Sequence, residues 1–340
     1  MYSFVNDYSE TAHPAVLQAL VDTNMEQSAG YGADEHCENA KNYIRQKIHC
    51  PTADVHFLSG GTQTNILAAA AFLRPVEAII SAETGHIHGH ECGSIEESGH
   101  KILAEQTPDG KLTVAHLEHA RLLNQEEYCP VPKMVYISNS TELGTVYNKA
   151  ELQELYAYCK AHDMIFFIDG ARMGSALACT DLSFEDYPQL CDAFYIGGTK
   201  NGAFMGEAMV IVKEELKQDF RRHMKQRGAM LAKGKVLGVQ FEALFKENLF
   251  MELANHANHC MDILREGIGE LGYDFLCESP SNQIFPIFPV EVLERLNQKY
   301  AVLDYQDMGD GKRCVRMVTS WATLEEQCHN FVADLKAYSK

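Results

Sequence analysis

Seven short apolar runs recur through the first two-thirds of the chain, each bounded by glycine, proline or a polar cluster. They are DVHFL (54–58), EAIIS (77–81), HKILA (100–104), KMVYIS (133–138), MIFFID (164–169), DAFYIG (192–197) and EAMVIV (207–212). Each has strand length and is rich in β-branched or aromatic residues. Several are apolar at consecutive positions, so both faces are expected to be covered, as in a largely parallel sheet. Helical spacing fills most of the intervals. NKAELQELYAYCKAH (148–162) sets Leu152, Leu155 and Tyr156 at helical spacing, with Asn148 as N-cap. QTNILAAAAFL follows the first strand after a Gly-Gly turn, and Pro14 suits the first turn of a helix over 14–25. The alternation predicts an α/β domain of seven strands, mostly parallel, with helices on both faces.

From about residue 235 the pattern changes. One long helical stretch runs to about Gly272. Short strands follow (QIFPIF, 283–288, and RCVRMVT, 313–319), with a DG turn at 310–311 and an amphipathic helix from Thr323. This predicts a smaller α+β domain at the C-terminal end. The expected organisation is an N-terminal segment, 1–15, packed on the large domain, a large domain over 16–245, and a small domain over 246–340.

Charge and composition then narrow the partners. A formal net charge of −18 repels a polyanion, so no nucleic-acid partner is expected. A local pocket for one small anion stays open. RRHMKQR (221–227), the one strongly basic run, fits a solvated helix face and a phosphate-facing role equally. The longest apolar run, ILAAAAFL (66–73), falls far short of the roughly 20 residues that span a bilayer, so no membrane partner is expected. No Lys or Arg precedes Lys41, which leaves no charged n-region for a secretory signal and no arginines for a transit peptide. Eleven cysteines, an odd number with no CxxC pair, point to free thiols and a reducing compartment. The expected location is cytoplasmic. Cys92 reads as a small buried residue or a nucleophile.

In this fold class ligands bind beyond the carboxyl ends of the strands, so the residues following each run carry the chemistry. After DVHFL comes SGGTQTN (59–65), a glycine-rich turn opening a helix, where free N–H groups and the helix dipole favour an anion. After EAIIS comes TGHIHGHE, with His86, His88 and His90 two residues apart. Asp169 ends MIFFID. Lys200 lies in GGTKNG beyond DAFYIG, where a partly buried lysine has a depressed pKa and can form a Schiff base. A phosphate-ready helix start, a carboxylate and a lysine together fit pyridoxal 5′-phosphate (PLP). Its phosphate would sit on the helix start, its aldehyde on the lysine and its protonated ring nitrogen on the carboxylate.

SGGTQTN, TGHIHGHE, IDGARMGSAL, YIGGTKNGAFMGEA and VRMVTSW, in this order, resemble the low-specificity L-threonine aldolases of the β-eliminating lyase group, PLP enzymes of the aspartate aminotransferase fold (fold type I). The resemblance covers nearly the whole chain. It implies Lys200 as the Schiff-base lysine, Asp169 as the partner of the pyridine nitrogen, and Gly61 and Thr62 on the phosphate, helped by Thr199. It implies His86 as a plate stacked on the ring and as a catalytic proton relay, with His86 or an ordered water taking the substrate's β-hydroxyl proton. No metal site is expected, because a metal would need several imidazoles converging on one point. His88 and His90 receive no role. Arg172 and Arg316 match the arginines near the substrate carboxylate, with a bridge to the Asp169 strand or the phosphate open for Arg172 and a surface salt bridge open for Arg316. Asn6 stands where the family has a serine at the same carboxylate. Tyr31, in GYGAD, resembles a loop that reaches the site in fold type I dimers; a plain turn residue is the alternative.

One departure stands out. The family's second histidine, in an ENTHN-like segment after a strand, is thought to help deprotonate the substrate's β-hydroxyl, and here SNSTELG (138–144) puts Thr141 in its place. The resemblance therefore implies a PLP-dependent lyase that cleaves a β-hydroxy-α-amino acid to glycine and an aldehyde, as a homodimer or homotetramer. An aminotransferase or β-eliminase on another small amino acid uses the same constellation. A PLP-binding regulator without turnover is the non-enzymatic alternative.

Overall fold

The protein, described as a computed structural model over residues 1–339, is built on a seven-stranded sheet. Its strands are β1 (Asp54–Leu58), β2 (Glu77–Ala82), β3 (Ile102–Glu105), β4 (Val131–Ser138), β5 (Ile165–Asp169), β6 (Ala193–Gly197) and β7 (Glu207–Ile211), in the spatial order β1-β7-β6-β5-β4-β2-β3. All neighbours are parallel except β7, which runs antiparallel to both β1 and β6. The seven apolar runs are these seven strands. Their side chains alternate between two separate cores, one on each face. Val135, Ile137, Phe166, Ile168, Phe194 and Ile196 enter the first, whereas Met134, Tyr136, Ile165, Phe167 and Tyr195 enter the second. Full burial of each large side chain stabilises by about 1.5–3 kcal/mol, which is why the runs are apolar at consecutive positions.

Helices cover both faces. Glu35–Lys47 starts at Asp34, whose side chain accepts from the Cys37 N–H. Lys149–Ala161 starts at Asn148 in a reciprocal capping box with Glu151. The first helix runs Pro14–Asp22 and stops short of the expected residue 25, where the Thr23 hydroxyl turns back to the Ala19 carbonyl.

The C-terminal region departs from its sequence pattern in three places. The single helix expected over 235–272 is two, Lys235–Phe245 and Leu249–Glu270, because the chain turns to stack Phe245 on Phe250 (4.9 Å) with both rings against Phe184. QIFPIF is split into β8 (Gln283–Ile284) and β9 (Ile287–Pro289), interrupted at Pro286, which has no N–H to donate. A further strand, β10 (Leu303–Gly309), pairs with β11 (Lys312–Val318) across the Asp310-Gly311 turn, where both residues have positive φ (49° and 68°). Every residue of β10 is exposed, so it carries no apolar signature. A third core joins the later turns of Leu249–Glu270 (Cys260, Met261, Leu264), β11 and the closing helix Glu325–Tyr338.

The N-terminal segment does not simply cross the large domain. Tyr2–Ser3 pairs with Tyr300–Ala301, and Phe4 is buried in the third core, because its ring fills the space between Tyr300 and Phe331. The chain then crosses over at Asp7 and reaches the turn after β6 at His13, whose N–H donates to the Gly202 carbonyl.

Candidate active site

Asp169 and Lys200 are brought together by two glycines. Gly170, just beyond β5, and Gly197, the last residue of β6, sit back to back, joined by a 3.0 Å hydrogen bond from the Gly197 N–H to the Gly170 carbonyl. A Cβ on Gly170 would lie 1.9 Å from the Tyr195 carbonyl oxygen, and one on Gly197 would lie 2.4 Å from the Ala171 oxygen. No side chain fits at either place, so the two strand ends converge only with glycine in both. Lys200 follows on a tight turn in which the Gly198 and Thr199 N–H groups both donate to the Gly206 carbonyl.

Period-two alternation puts Asp169 on the same face as Phe167, and so beside Tyr136 of β4 and Tyr195 of β6. Its Oδ1 accepts from the Ala171 N–H at 2.9 Å, and its Oδ2 accepts from the Tyr136 hydroxyl at 2.5 Å and from Asn65 Nδ2 at 3.2 Å. Asn65 lies one turn into helix Gly61–Phe72 and gives its other amide hydrogen to Glu91 Oε1 (2.8 Å). The same Glu91 oxygen is 2.8 Å from His86 Nδ1. This hydrogen bond, with the charge of Asp169, raises the His86 pKa against the opposing effect of burial and favours imidazolium. Asp169, Asn65, Glu91 and His86 are thus one connected network.

Helix Gly61–Phe72 begins at Gly60 without a side-chain cap, and nothing lies within 4 Å of where a Gly60 Cβ would stand. The first N–H groups of the helix, those of Gly61 and Thr62, have no hydrogen-bond partner among the described residues, as an anion site requires. The site is next to Asp169: a Cβ on Gly61 would be 3.0 Å from the Tyr195 hydroxyl.

The two arginines differ. Arg172 is held by Asp7, Nε to Oδ2 at 2.7 Å and Nη2 to Oδ1 at 3.0 Å, so its fork is occupied and only Nη1 remains. The bridge runs to the N-terminal segment, not to the Asp169 strand. Asp7 is 1 % exposed and also accepts from Asn282 Nδ2. Burial alone would raise its pKa, but Arg172, Lys200 and the two hydrogen bonds overcome this and hold it at about 2. Arg316 has no carboxylate partner among the described residues. Its Nε and Nη2 both donate to Gln283 Oε1 (3.0 and 2.7 Å), and burial beside Arg172 lowers its pKa to about 10. A surface salt bridge is therefore not its setting. Lys200 is destabilised as an ammonium first by burial and then by Arg172, which lowers its pKa, and it forms no ion pair among the described residues.

Other expected residues are placed differently. Asn6 turns its Oδ1 to its own loop, accepting from the Tyr8 N–H and the Ser9 hydroxyl, which leaves its Nδ2 free. The Thr199 hydroxyl accepts from the Gly206 N–H, so it braces the lysine turn and does not project freely towards the helix start. Tyr31 does not join Lys200 within this chain. It has φ 62°, its ring lies under Lys225 (4.9 Å), and its carbonyl accepts from Arg221. The basic run thus packs on the Tyr31 loop. Cys92, expected to be buried, is exposed with φ 52° in the turn before helix Ser94–Glu97. His88 is exposed and bonded to the Glu83 carbonyl, while His90 stacks on His86 at 5.6 Å. No group of three or more His, Cys, Asp or Glu among the described residues is arranged to hold a metal ion.

Sequence reading missed Asp7, Asn65, Glu91, Glu142 and Glu207. The last is buried under the lysine turn, accepts from the Gly198 N–H at 3.0 Å, and is pushed up to about 7 by burial against the opposing pull of Thr199 and Lys200. Asn65, Glu91, Glu142 and Glu207 stand inside quoted motifs and Asp7 follows Asn6, so a polar or charged residue within or beside a predicted site motif is the signal that could have found them.

The Asp7–Arg172 pair has a measurable consequence. Because the folded pKa of Asp7 lies below its ordinary 3.8, its stabilisation is complete above that value and is lost as pH falls towards 2, on the order of 2 kcal/mol in all. Asp7→Asn leaves a buried guanidinium unpaired and is expected to cost about 3–5 kcal/mol at neutral pH. Chemical denaturation should show this loss and a flatter stability profile between pH 4 and 2.

Comparison with known proteins gives a consistent picture. The family model described as β-eliminating lyase matches residues 5–304. A low-specificity L-threonine aldolase from Pseudomonas aeruginosa is 30 % identical over 339 residues, 98 % of this chain and 96 % of that one. A solved threonine aldolase from Leishmania major is 47 % identical over the whole of both chains, with a TM-score of 0.99. An aspartate aminotransferase from Thermus thermophilus, at 19 % identity with 99 % of this chain and 91 % of that one covered, superposes with a TM-score of 0.73 and shares the fold.

Proposed function

Because the chain belongs to the β-eliminating lyase family, we propose that it is a PLP-dependent lyase that cleaves a β-hydroxy-α-amino acid, L-threonine or a relative of it, to glycine and an aldehyde. The observation that carries this reading is the convergence of Asp169, Lys200 and an uncapped helix start, held by the approach of Gly170 to Gly197. The donor set fits the cofactor. The open N–H groups at Gly60–Thr62 suit its phosphate, a carboxylate already holding three donors suits its ring nitrogen, and an unpaired amine suits its aldehyde.

When bound, PLP supplies an electron sink for the pair released at Cα. The residues do the rest. Asp169 holds a proton at the pyridine nitrogen. Lys200, with its ammonium disfavoured by burial, offers a nucleophilic amine near neutral pH. His86 lies as a plate beside this pair, fixed by Glu91. Arg316, whose Nε and Nη2 rest on the neutral Gln283 oxygen, exchanges that contact for the substrate carboxylate, with Arg172 Nη1 and Asn6 Nδ2 as further donors. A planar fork on both carboxylate oxygens fixes which bond at Cα stands perpendicular to the ring, and so which bond breaks. Arg316→Lys keeps the charge but loses the fork. It is expected to raise KM roughly 10- to 100-fold with a smaller fall in kcat, as steady-state kinetics would show.

The assembly we propose is a homodimer or homotetramer in which Tyr31 serves the site of a neighbouring copy, since it lies away from Lys200 in its own chain. All eleven cysteines are free, which suits a reducing, cytoplasmic setting. Among the described residues no helix is long and apolar enough to cross a membrane. Incubation with L-threonine and L-allo-threonine tests the reading: glycine and acetaldehyde in equal amounts are expected, and a keto acid formed only with an acceptor present would contradict it.

A further inference from the structure

Cleavage of a β-hydroxy amino acid requires a base for the hydroxyl proton, and SNSTELG offers no histidine for it. The hydroxyl of Thr141, at the expected position, turns away. It bonds to Thr145 Oγ1 at 2.7 Å and faces Gly110, where an added Cβ would lie 3.2 Å from it. The next residue turns inward. Glu142 Oε1 accepts from the Ser138 hydroxyl at 2.7 Å and from the His86 N–H at 2.9 Å. Ser138 is the register partner of Asp169, so this carboxyl lies between the end of β4 and the plate histidine, one strand from Asp169. Both donors engage Oε1, which leaves Oε2 to take a proton. Glu142 forms no ion pair among the described residues.

We propose that Glu142 is the proton acceptor for the substrate's β-hydroxyl. The proposal rests on the aldehyde-forming reading above. In the step, the O–H bond breaks and its electron pair becomes the second bond of the departing carbonyl. The Cα–Cβ bond breaks with its pair left at Cα, and the proton moves to Glu142. Glu142 then releases it to water while Cα takes a proton, so the sum is amino acid to glycine plus aldehyde.

The neighbours favour this assignment. His86 is drawn towards imidazolium by Glu91 and so is a poor acceptor. Its amide instead pins Glu142. Burial, then the charge of Asp169, raises the Glu142 pKa against the pull of Ser138 and His86, which makes a stronger base than a solvated carboxylate. The other groups acting on it are Arg172, Tyr136, Tyr147 and Tyr305. His90 is stacked on His86, exposed, and makes no hydrogen bond to Glu142 among the described residues.

The test compares E142Q, E142D and H90N holoenzymes in two reactions. One is aldehyde release from threonine. The other is exchange of the glycine Cα proton in heavy water, which needs the cofactor and Lys200 but no hydroxyl base. E142Q is expected to lose about 10²–10⁴-fold in cleavage, to keep glycine exchange within a fewfold, and to lose the acidic limb of the cleavage pH profile. E142D should recover part of the rate, and H90N should stay near wild type. Cleavage retained in E142Q, cleavage and exchange lost together, or cleavage lost in H90N instead would each overturn the proposal. If wild-type protein releases no aldehyde but exchanges glycine, the lyase reading itself fails. A readout without cofactor comes from histidine-labelled apoprotein: the His86 amide shift should carry a pH inflection that E142Q removes, and an unchanged titration in E142Q would contradict it.

Discussion

Lys200→Ala is expected to abolish both turnover and colour. Cleavage should fall by at least about 10³-fold, within the range that one lost proton-transferring or nucleophilic group produces, and the visible absorbance of the bound cofactor should vanish. The geometry explains why no other lysine can substitute. The turn that carries Lys200 is clamped by the two N–H groups on the Gly206 carbonyl, by the Asn201 side chain on the Phe250 carbonyl, and by the back-to-back glycines behind it. Lys225, in the basic run, lies over Tyr31 instead. Because Lys200 forms no ion pair among the described residues, its removal orphans no carboxylate, and the variant should fold as well as the parent. Absorbance and thermal denaturation on the same sample separate loss of chemistry from loss of structure. A coloured, active variant would remove the lysine from the mechanism.

Asp169→Asn is expected to lower kcat by about 10²–10³-fold while the protein keeps its colour. The amide is nearly isosteric, and its oxygen can still accept from Tyr136, whose hydroxyl is 2.5 Å from the native Oδ2. What disappears is the negative charge that keeps the ring nitrogen protonated, and with it the electron sink. Colour with little turnover therefore distinguishes this residue from Lys200, whose loss removes both. Turnover within fivefold of wild type would mean that Asp169 is only a structural acceptor for Tyr136 and Asn65.

The seven-stranded sheet was legible because its physics is local. Strand period, cap chemistry at Asn148 and the glycines beside Asp169 and Lys200 are short-range signals, and they located the sheet and the strand ends that carry Asp169 and Lys200. What escaped depends on contacts made across the fold. Arg172 finds Asp7, 165 residues away, and Asn282 finds the same carboxylate from 275 residues away, so nothing near Arg172 in the sequence announces its partner. The break at 246–248 is set by Phe245 and Phe250 sharing one core with Phe184, which helical periodicity alone does not record. Strand Leu303–Gly309 was invisible for the opposite reason: all its residues are exposed, and its side-chain ties to β11, from Arg313 to Asp304 and Asp307, are polar. The inward turn of Glu142, next to a threonine that faces away, is likewise a property of the loop conformation.

The proposed function requires that Lys200 and Asp169 address opposite ends of one pyridoxal ring. Borohydride treatment of the holoenzyme, followed by peptide mass spectrometry, reads this most directly. The expected result is one phosphopyridoxyl group per chain, on the peptide containing Lys200. A protein that carries no such group after incubation with PLP, or that carries it on a different lysine, would contradict the account.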